Sequence, residues 1–293
     1  MNKGRVVPAL ILGLTAISFA SILIKLCTAP ALIIAFYRLS LAAVFYWGLA
    51  RIKNRPVWQS LDGKQKKLTV LSGLFLAAHF AFWITSLEYT SVASSVVLVQ
   101  SAPVFVVIGS MIFLKERPTF LMLIGIAVAL AGAIVISAAD FRAEHSSLIG
   151  NILAMSGALA IAGYLLIGRK LRPRIDTMIY VSVVYTSAAI VTFFLAVLSG
   201  NSFFHYNVQT FVFLAAIAFV PQVIGHTSFN WALKYFSAAT VSIVALGEPI
   251  GASILALIIL GERLTLLKIL GGGVIIAGLC AVLISETREY NNI

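Results

Sequence analysis

The stretch Leu87–Ser137, LEYTSVASSVVLVQSAPVFVVIGSMIFLKERPTFLMLIGIAVALAGAIVIS, decides the fold, because the chain contains it twice. It aligns without a gap on Leu233–Leu283, LKYFSAATVSIVALGEPIGASILALIILGERLTLLKILGGGVIIAGLCAVL, at a shift of 146 residues. Shared leucine or valine would mean little between two apolar segments, whereas the proline, Glu-Arg pair, threonine and glycines shared in one register indicate an internal duplication. The identical residues include Pro103/Pro249, Glu116/Glu262, Arg117/Arg263, Thr119/Thr265, Gly125/Gly271 and Gly132/Gly278.

The composition indicates a membrane protein. Of the 293 residues, 61% are hydrophobic and 11% are charged, whereas a soluble domain has about 25% charged residues. Apolar runs recur along the chain, each near the roughly 20 residues that a helix needs to cross a bilayer. They are too long and too little alternated for the strands of a barrel, so we expect transmembrane helices.

We predict an all-α membrane protein with ten transmembrane helices and short links. The first apolar run continues to Leu26 without a suitable cleavage site, so we interpret it as an uncleaved span rather than a signal peptide. The predicted spans 1 to 10 cover residues 7–26, 31–50, 68–87, 93–114, 119–138, 148–168, 178–199, 209–233, 238–260 and 266–285.

The net charge of +11 is better explained by membrane topology than by nucleic-acid binding, because the Lys and Arg residues gather in the links between spans. With the N-terminus inside, sixteen of the 21 fall on the cytoplasmic side. Both termini are then cytoplasmic. These sixteen are Lys3, Arg5, Arg51, Lys53, Arg55, Lys64, Lys66, Lys67, Lys115, Arg117, Arg169, Lys170, Arg172, Arg174, Lys234 and Arg288.

An odd number of spans in each half predicts two inverted five-helix repeats, residues 1–145 and 146–293. Repeats of opposite topology around a central cavity are typical of alternating-access carriers. Channels also contain inverted repeats, so the architecture favours transport without proving a carrier.

Several motifs together resemble the drug/metabolite transporter superfamily, in its EamA-type ten-helix branch. They are Phe36-Tyr37-Arg38, the segment 89–95, Pro103, the segment 114–117, Gly247-Glu248-Pro249 and the segment 260–263, and they extend over nearly the whole chain. Each motif alone is weak, and their order, spacing and duplication are specific for the family but not for a substrate.

The resemblance implies a basket in which spans 1–4 and 6–9 surround a cavity, with spans 5 and 10 peripheral. It also implies export or import of amino acids, other metabolites or drugs, in some members by proton exchange. The chain differs from many relatives by lacking tryptophan in spans 1 and 6. It also lacks the first-span glutamate that couples protons in the small multidrug-resistance relatives.

Polar residues inside spans are candidate substrate-binding residues, because ionisable groups in a bilayer are costly. His79 lies near the middle of span 3 with Trp83 one turn away, and Gln222, His226 and Asn230 form an i, i+4, i+8 stripe in span 8. Histidine titrates near neutrality, which allows a proton-linked step. The alternative is that both histidines are buried and bonded to backbone carbonyls.

Glu248 in span 9 is the one carboxylate that we place deep in a span, and Arg38 lies within span 2, nearer the external face. Glu248 is expected to bind a cationic group, carry a proton, pair with Arg38 or a histidine, or have a structural role beside Pro249. Arg38 is expected either to bind a substrate carboxylate or, as we favour, to snorkel or hold neighbouring carbonyls. Gln100 completes the candidate set, with Tyr37, Tyr164 and Tyr185 as weaker candidates.

The remaining features indicate packing. The glycines at 125, 132, 271 and 278 are interpreted as helix-packing seams, with a dimer contact as an alternative. Cys27 and Cys280 are expected near opposite membrane faces and therefore unpaired. The sequence shows no phosphate loop, metal-ligand spacing or nucleophile constellation, so no cofactor, metal or catalytic residue is predicted.

These observations favour a secondary carrier in the cytoplasmic (inner) membrane that exports amino acids or similar small polar metabolites. The partners are then a small-molecule substrate, the lipid bilayer and, as an open alternative, protons; the oligomeric state is left open. The first alternative is export of cationic drugs or polyamines. A remote alternative, an intramembrane enzyme or lipid scramblase, would need a catalytic cluster or a polar groove facing lipid.

Overall fold

The computed structural model describes residues 6–90, 92–138, 147–261 and 264–291. Within them, nine helices are long and apolar enough to cross a membrane, and a shorter apolar one covers Phe120–Ile136. The predicted all-helical membrane fold is confirmed. The helices are α1 Val7–Leu26, α2 Ala31–Ile52, α3 Gly63–Tyr89, α4 Val92–Val99, α5 Ala102–Gly109, α6 Phe120–Ala138, α7 Leu148–Leu171, α8 Thr177–Leu198, α9 Val208–Ile217, α10 Thr227–Ala232, α11 Ala238–Ala245, α12 Glu248–Leu260 and α13 Leu266–Asn291.

Polar side chains that cap helix N-termini determine where several helices begin, which hydropathy alone does not define. Asp62 accepts a hydrogen bond from the Gln65 backbone N–H at 2.8 Å, and the Gln65 side chain accepts one from the Asp62 N–H at 3.1 Å. This capping box starts α3 at Gly63, five residues before the predicted span. Asp176 and Asn207 cap α8 and α9 by accepting hydrogen bonds from the Met178 and Thr210 backbone N–H groups.

Spans 4 and 9 are each broken into two helices at the same place in the duplicated register. The interruptions are Gln100-Ser101, before Pro103, and Leu246-Gly247, before Pro249. A proline lacks the N–H that would continue the helical ladder, but it fits the first turn of a new helix. The duplicated proline therefore sets both breaks.

The two copies also end alike. Lys115 after span 4 has φ 59° and Gly261 after span 9 has φ 68°, both in the left-handed region that stops a helix. Lys115 and Gly261 are equivalent under the shift of 146. Glu262 and Arg263, the second copy of the Glu-Arg turn, lie outside the described residues.

Helix contacts bring the two halves of the sequence together. The pairs α2–α8 and α3–α7 pack closely, and α1 packs against span 8 and α12. The helices α6 and α13 pack along each other, and α6 otherwise contacts mainly α4. The contacts thus cross between the halves, and the largest buried side chains lie where α2, α3, α7, α8 and span 8 meet.

Glycine makes the contact between α6 and α13 possible. A Cβ atom at Gly132 would lie 2.7 Å from the Gly271 carbonyl oxygen, and one at Gly125 would lie 2.8 Å from the Gly278 oxygen. The seam predicted from the repeated glycines is therefore formed within one chain, between the two copies.

We predict that Gly132→Ala destabilises the protein, because the added methyl group overpacks this seam, at a cost of about 1–3 kcal/mol. Gly273→Ala in α13 is the matched control, since a Cβ there meets nothing within 4 Å. Thermal unfolding of the purified protein in micelles should show a lower Tm for Gly132→Ala only. Equal melting of the two variants would contradict the described seam.

Candidate functional site

A cavity of about 90 Å³ lies among helices of both halves. Its polar lining combines residues from α2, α3, the two span breaks, α7, span 8 and α11. The lining residues are Ile17, Ala20, Arg38, His79, Phe80, Trp83, Val99, Gln100, Ala102, Pro103, Ile161, Tyr164, Leu165, His226, Phe229, Val241, Ser242, Ala245 and Glu248.

Arg38 is buried, with 1% of its surface exposed. Its Nε donates to Oε1 of Gln222 at 2.7 Å, and its guanidinium carbon lies 4.1 Å from the centre of the Phe80 ring. Among the described residues its Nη1 has no hydrogen-bond partner. The side chain does not reach the surface, so one part of the guanidinium is held by protein while another nitrogen remains available as a donor.

His79 is both bonded to a backbone carbonyl and part of the cavity lining, the two roles that the sequence left open. Its Nδ1 donates to the Gly157 carbonyl oxygen on α7 at 3.0 Å, and its ring also lines the cavity. Because a carbonyl can only accept, Nδ1 carries the proton and Nε2 is the acceptor of the neutral ring. The ring lies nearly parallel to Trp83, with centroids 5.9 Å apart and planes at 11°.

Phe80 connects the two histidines. Its ring centroid lies 4.9 Å from that of His79 and 5.4 Å from that of His226. His226 belongs to span 8, so imidazoles from the two halves contact one aromatic side chain. The sequence search for polar residues missed Phe80, although it is the equivalent of His226 under the shift of 146.

The three polar residues of the stripe in span 8 contact different groups. Residues Ala218–His226, which contain Pro221, form π-helix, in which the turn is wider than in an α-helix. Among the described residues, His226 lines the cavity, whereas Gln222 and Asn230 do not. Gln222 holds Arg38, and Asn230 donates to the Tyr164 hydroxyl and to the His226 carbonyl.

The two span breaks supply the other polar groups. Gln100 is buried at the break in span 4, and Glu248 is the half-buried first residue of α12, directly after the break in span 9. Both line the cavity, as does Ser242 of α11, which the sequence analysis did not single out. A serine in an apolar helix is a weak signal without its neighbours.

Of the three candidate tyrosines, only Tyr164 is among the described residues that line the cavity. The Tyr37 hydroxyl donates to the Phe203 carbonyl at 2.9 Å, and the Tyr185 hydroxyl is hydrogen-bonded to Thr227 at 3.0 Å. Tyr37 and Tyr185 therefore brace helices and loops outside the cavity.

Beyond one end of the cavity, the ends of spans 4, 6 and 8 are tied together. Arg169 at the end of α7 forms an ion pair with Glu116, with 2.8 Å between Nε and Oε1, and its Nη1 donates to the Leu233 carbonyl at 3.1 Å. Nearby, Arg172 donates to the Asn230 carbonyl at 2.9 Å. These contacts join the three span ends to one another.

The cavity's chemistry is that of binding. Within the described part of the chain, His, Cys, Asp and Glu form no group of three that could hold a metal ion. Cys27 and Cys280 are free thiols. The lining offers a cation, a carboxylate, hydrogen-bonding groups and apolar walls.

Comparison with known proteins gives consistent results. The model of the EamA-like transporter family matches residues 5–138 and 148–284. A probable amino-acid metabolite efflux pump of Escherichia coli is 26% identical, with 95% of this chain and 94% of the relative covered. An uncharacterized transporter of Archaeoglobus fulgidus is 25% identical, with 96% and 98% covered.

Two further matches come from a shorter alignment and from a solved structure. A probable terminal-alkyne amino-acid exporter of Streptantibioticus cattleyicolor is 29% identical over 63% of this chain and 62% of its own length. A crystal structure at 14% identity covers 98% of this chain and 100% of its own, with a TM-score of 0.83, which shows a shared fold.

The family and the relatives' names indicate transport rather than enzymatic catalysis. The chain is a multi-pass membrane protein that belongs to the EamA-like transporter family, within the drug/metabolite transporter superfamily.

Proposed function

We propose that the protein exports amino acids or similar small polar metabolites from the cytoplasm by alternating access, with the cavity as the substrate site. The main observation behind this proposal is that Arg38 and Glu248 line the same cavity. Arg38 has an Nη1 that no described residue bonds and that could bind a substrate carboxylate. Glu248 is suited to an ammonium group. A zwitterion matches this pair without leaving a net charge.

The size and the walls of the cavity support a small substrate. Its volume of about 90 Å³ is far below the roughly 300–1,000 Å³ of pockets for drug-sized ligands. Ile17, Ile161 and Leu165 offer an apolar surface to a side chain, while Gln100 and the histidine rings offer hydrogen bonds. The names of the Escherichia coli and Streptantibioticus cattleyicolor relatives also support amino-acid export.

We further propose that residues 1–145 and 146–293 are two inverted repeats, with both termini cytoplasmic in the inner membrane. The equivalent breaks before Pro103 and Pro249 and the reciprocal Gly132–Gly271 and Gly125–Gly278 contacts support this arrangement. Movement of one repeat against the other would open the cavity to each side in turn. The Glu116–Arg169 contact would then close the cytoplasmic end.

We predict that His79→Ala and His226→Ala each reduce amino-acid counterflow in proteoliposomes. Loss of one hydrogen-bonding ring corresponds to about 1 kcal/mol, or several-fold in binding. His205→Ala is the matched control, because His205 lies in an exposed loop. The assay is run with and without a pH gradient, since His79, His226 and Glu248 can change protonation. Unchanged counterflow in the double variant His79→Ala/His226→Ala would rule out this site.

A second candidate function, export of cationic drugs or polyamines, is favoured by the Glu248 carboxylate alone. A thermal-shift screen with amino acids, polyamines, nucleosides and quaternary amines separates the two, because a ligand that binds only the folded state raises Tm. We expect zwitterions to stabilise the wild type and to lose this effect in Glu248→Gln and in Arg38→Gln. Stabilisation by cations alone, abolished only by Glu248→Gln, would instead establish the second function.

The inverted arrangement predicts opposite sidedness for the two equivalent links, 115–118 and 261–264. Single cysteines at Arg117→Cys and Leu264→Cys are placed in a chain with Cys27→Ser and Cys280→Ser. An impermeant maleimide added to intact spheroplasts should label the second and spare the first, with the opposite result in inside-out vesicles. Labelling of both from the same side would contradict the proposal.

A further inference from the structure

A larger concavity lies on the outer surface of the helix bundle, between α2 and α8. We call it the α2–α8 groove. Its walls include Val44, Trp47, Gly48, Ile190 and Phe194, and its end is formed by Arg51, Arg55 and Gln59. Its volume is about 980 Å³, and it shares no lining residue with the central cavity. It is therefore a separate feature of the fold.

The walls of the groove are hydrocarbon. Val44 is 70% exposed and Phe194 is 59% exposed. The indole N–H of Trp47 donates to the Thr186 hydroxyl at 2.8 Å, which satisfies the most prominent polar atom of the wall. A Cβ at Gly48 would meet nothing within 4 Å, so this glycine leaves open space. The walls suit an apolar chain.

The end of the groove carries concentrated positive charge. The helix α2 ends at Ile52, Asn54 follows it with φ 50°, and the Arg55 N–H donates to the Ala50 carbonyl at 2.9 Å. This left-handed turn brings Arg55 back to the level of Arg51. Both side chains are exposed, and within the described part of the chain neither guanidinium has a hydrogen-bond or ion-pair partner.

The surroundings do not neutralise these arginines. The 51–67 link contains six Lys and Arg residues, and its one acid, Asp62, is engaged in capping α3. Among the described residues that line the groove, none carries a carboxylate. An occupant that fits must therefore have a long apolar part and an anionic end.

We propose that the α2–α8 groove binds one anionic phospholipid, with an acyl chain along the apolar walls and the phosphate against Arg51 and Arg55. Guanidinium groups bind phosphate oxygens in paired, charge-assisted hydrogen bonds, and basic residues beside a membrane attract anionic headgroups. Because α2 and α8 come from different halves of the chain, one lipid contacts both. The site is independent of the proposed transport function.

The test is native mass spectrometry of the full-length protein in micelles with equimolar palmitoyl-oleoyl phosphatidylglycerol and phosphatidylcholine. We expect the wild type to retain one phosphatidylglycerol in preference to phosphatidylcholine. In Arg51→Gln/Arg55→Gln the apparent affinity should fall about fivefold per arginine. The control variant Lys64→Gln/Lys67→Gln removes the same amount of charge from the same link, at residues outside the groove. It should change the apparent affinity for phosphatidylglycerol little.

Gly48→Leu tests the apolar part with all charges intact. The added side chain enters the open space and suits a helix, so the variant is expected to fold and to lose retained lipid. Equal losses in the two double variants, or full retention in Gly48→Leu, would overturn the site in favour of diffuse attraction. A wild-type dimer that Gly48→Leu converts to monomer would also overturn it, because a second copy would then occupy the groove.

Discussion

The structure depends on the requirement that backbone N–H and C=O groups in a bilayer find partners within the protein. Continuous helices meet it in spans 1, 2, 3, 6 and 7. Spans 4, 8 and 9 break the regular ladder at or near Pro103, Pro221 and Pro249. Irregular backbone at membrane depth is tolerated where it is enclosed by protein or faces a cavity, and here these breaks surround the candidate site.

The breaks also determine which side chains are available for binding. In span 8, which contains the π-helix, His226 lines the cavity and Gln222 accepts a hydrogen bond from the cavity residue Arg38. The break in span 9 places Glu248 at the start of a helix instead of in its middle. Local loss of helical regularity thus produces the polar lining of an otherwise apolar bundle.

Much of the fold follows from the sequence, because length and hydropathy define a membrane helix almost alone. Span 1 was predicted over 7–26 and is observed at Val7–Leu26, and the glycine seam follows from its repeated register. The early start of α3 was missed because its cap lies in a polar segment. The partners of Arg38 and Asn230 could not be predicted, since they depend on contacts between distant spans. Pro221 was the available signal for the irregular helix in span 8. The inverted layout and the site itself stay predictions.

In the proposed alternating access, one cavity is reached from both sides of the membrane in turn. The most direct measurement is the labelling of His226→Cys, in a background of Cys27→Ser and Cys280→Ser, by a small impermeant thiol reagent in right-side-out and in inside-out vesicles. We expect the cysteine to react in both preparations. Reaction from one side only would contradict alternating access through this cavity.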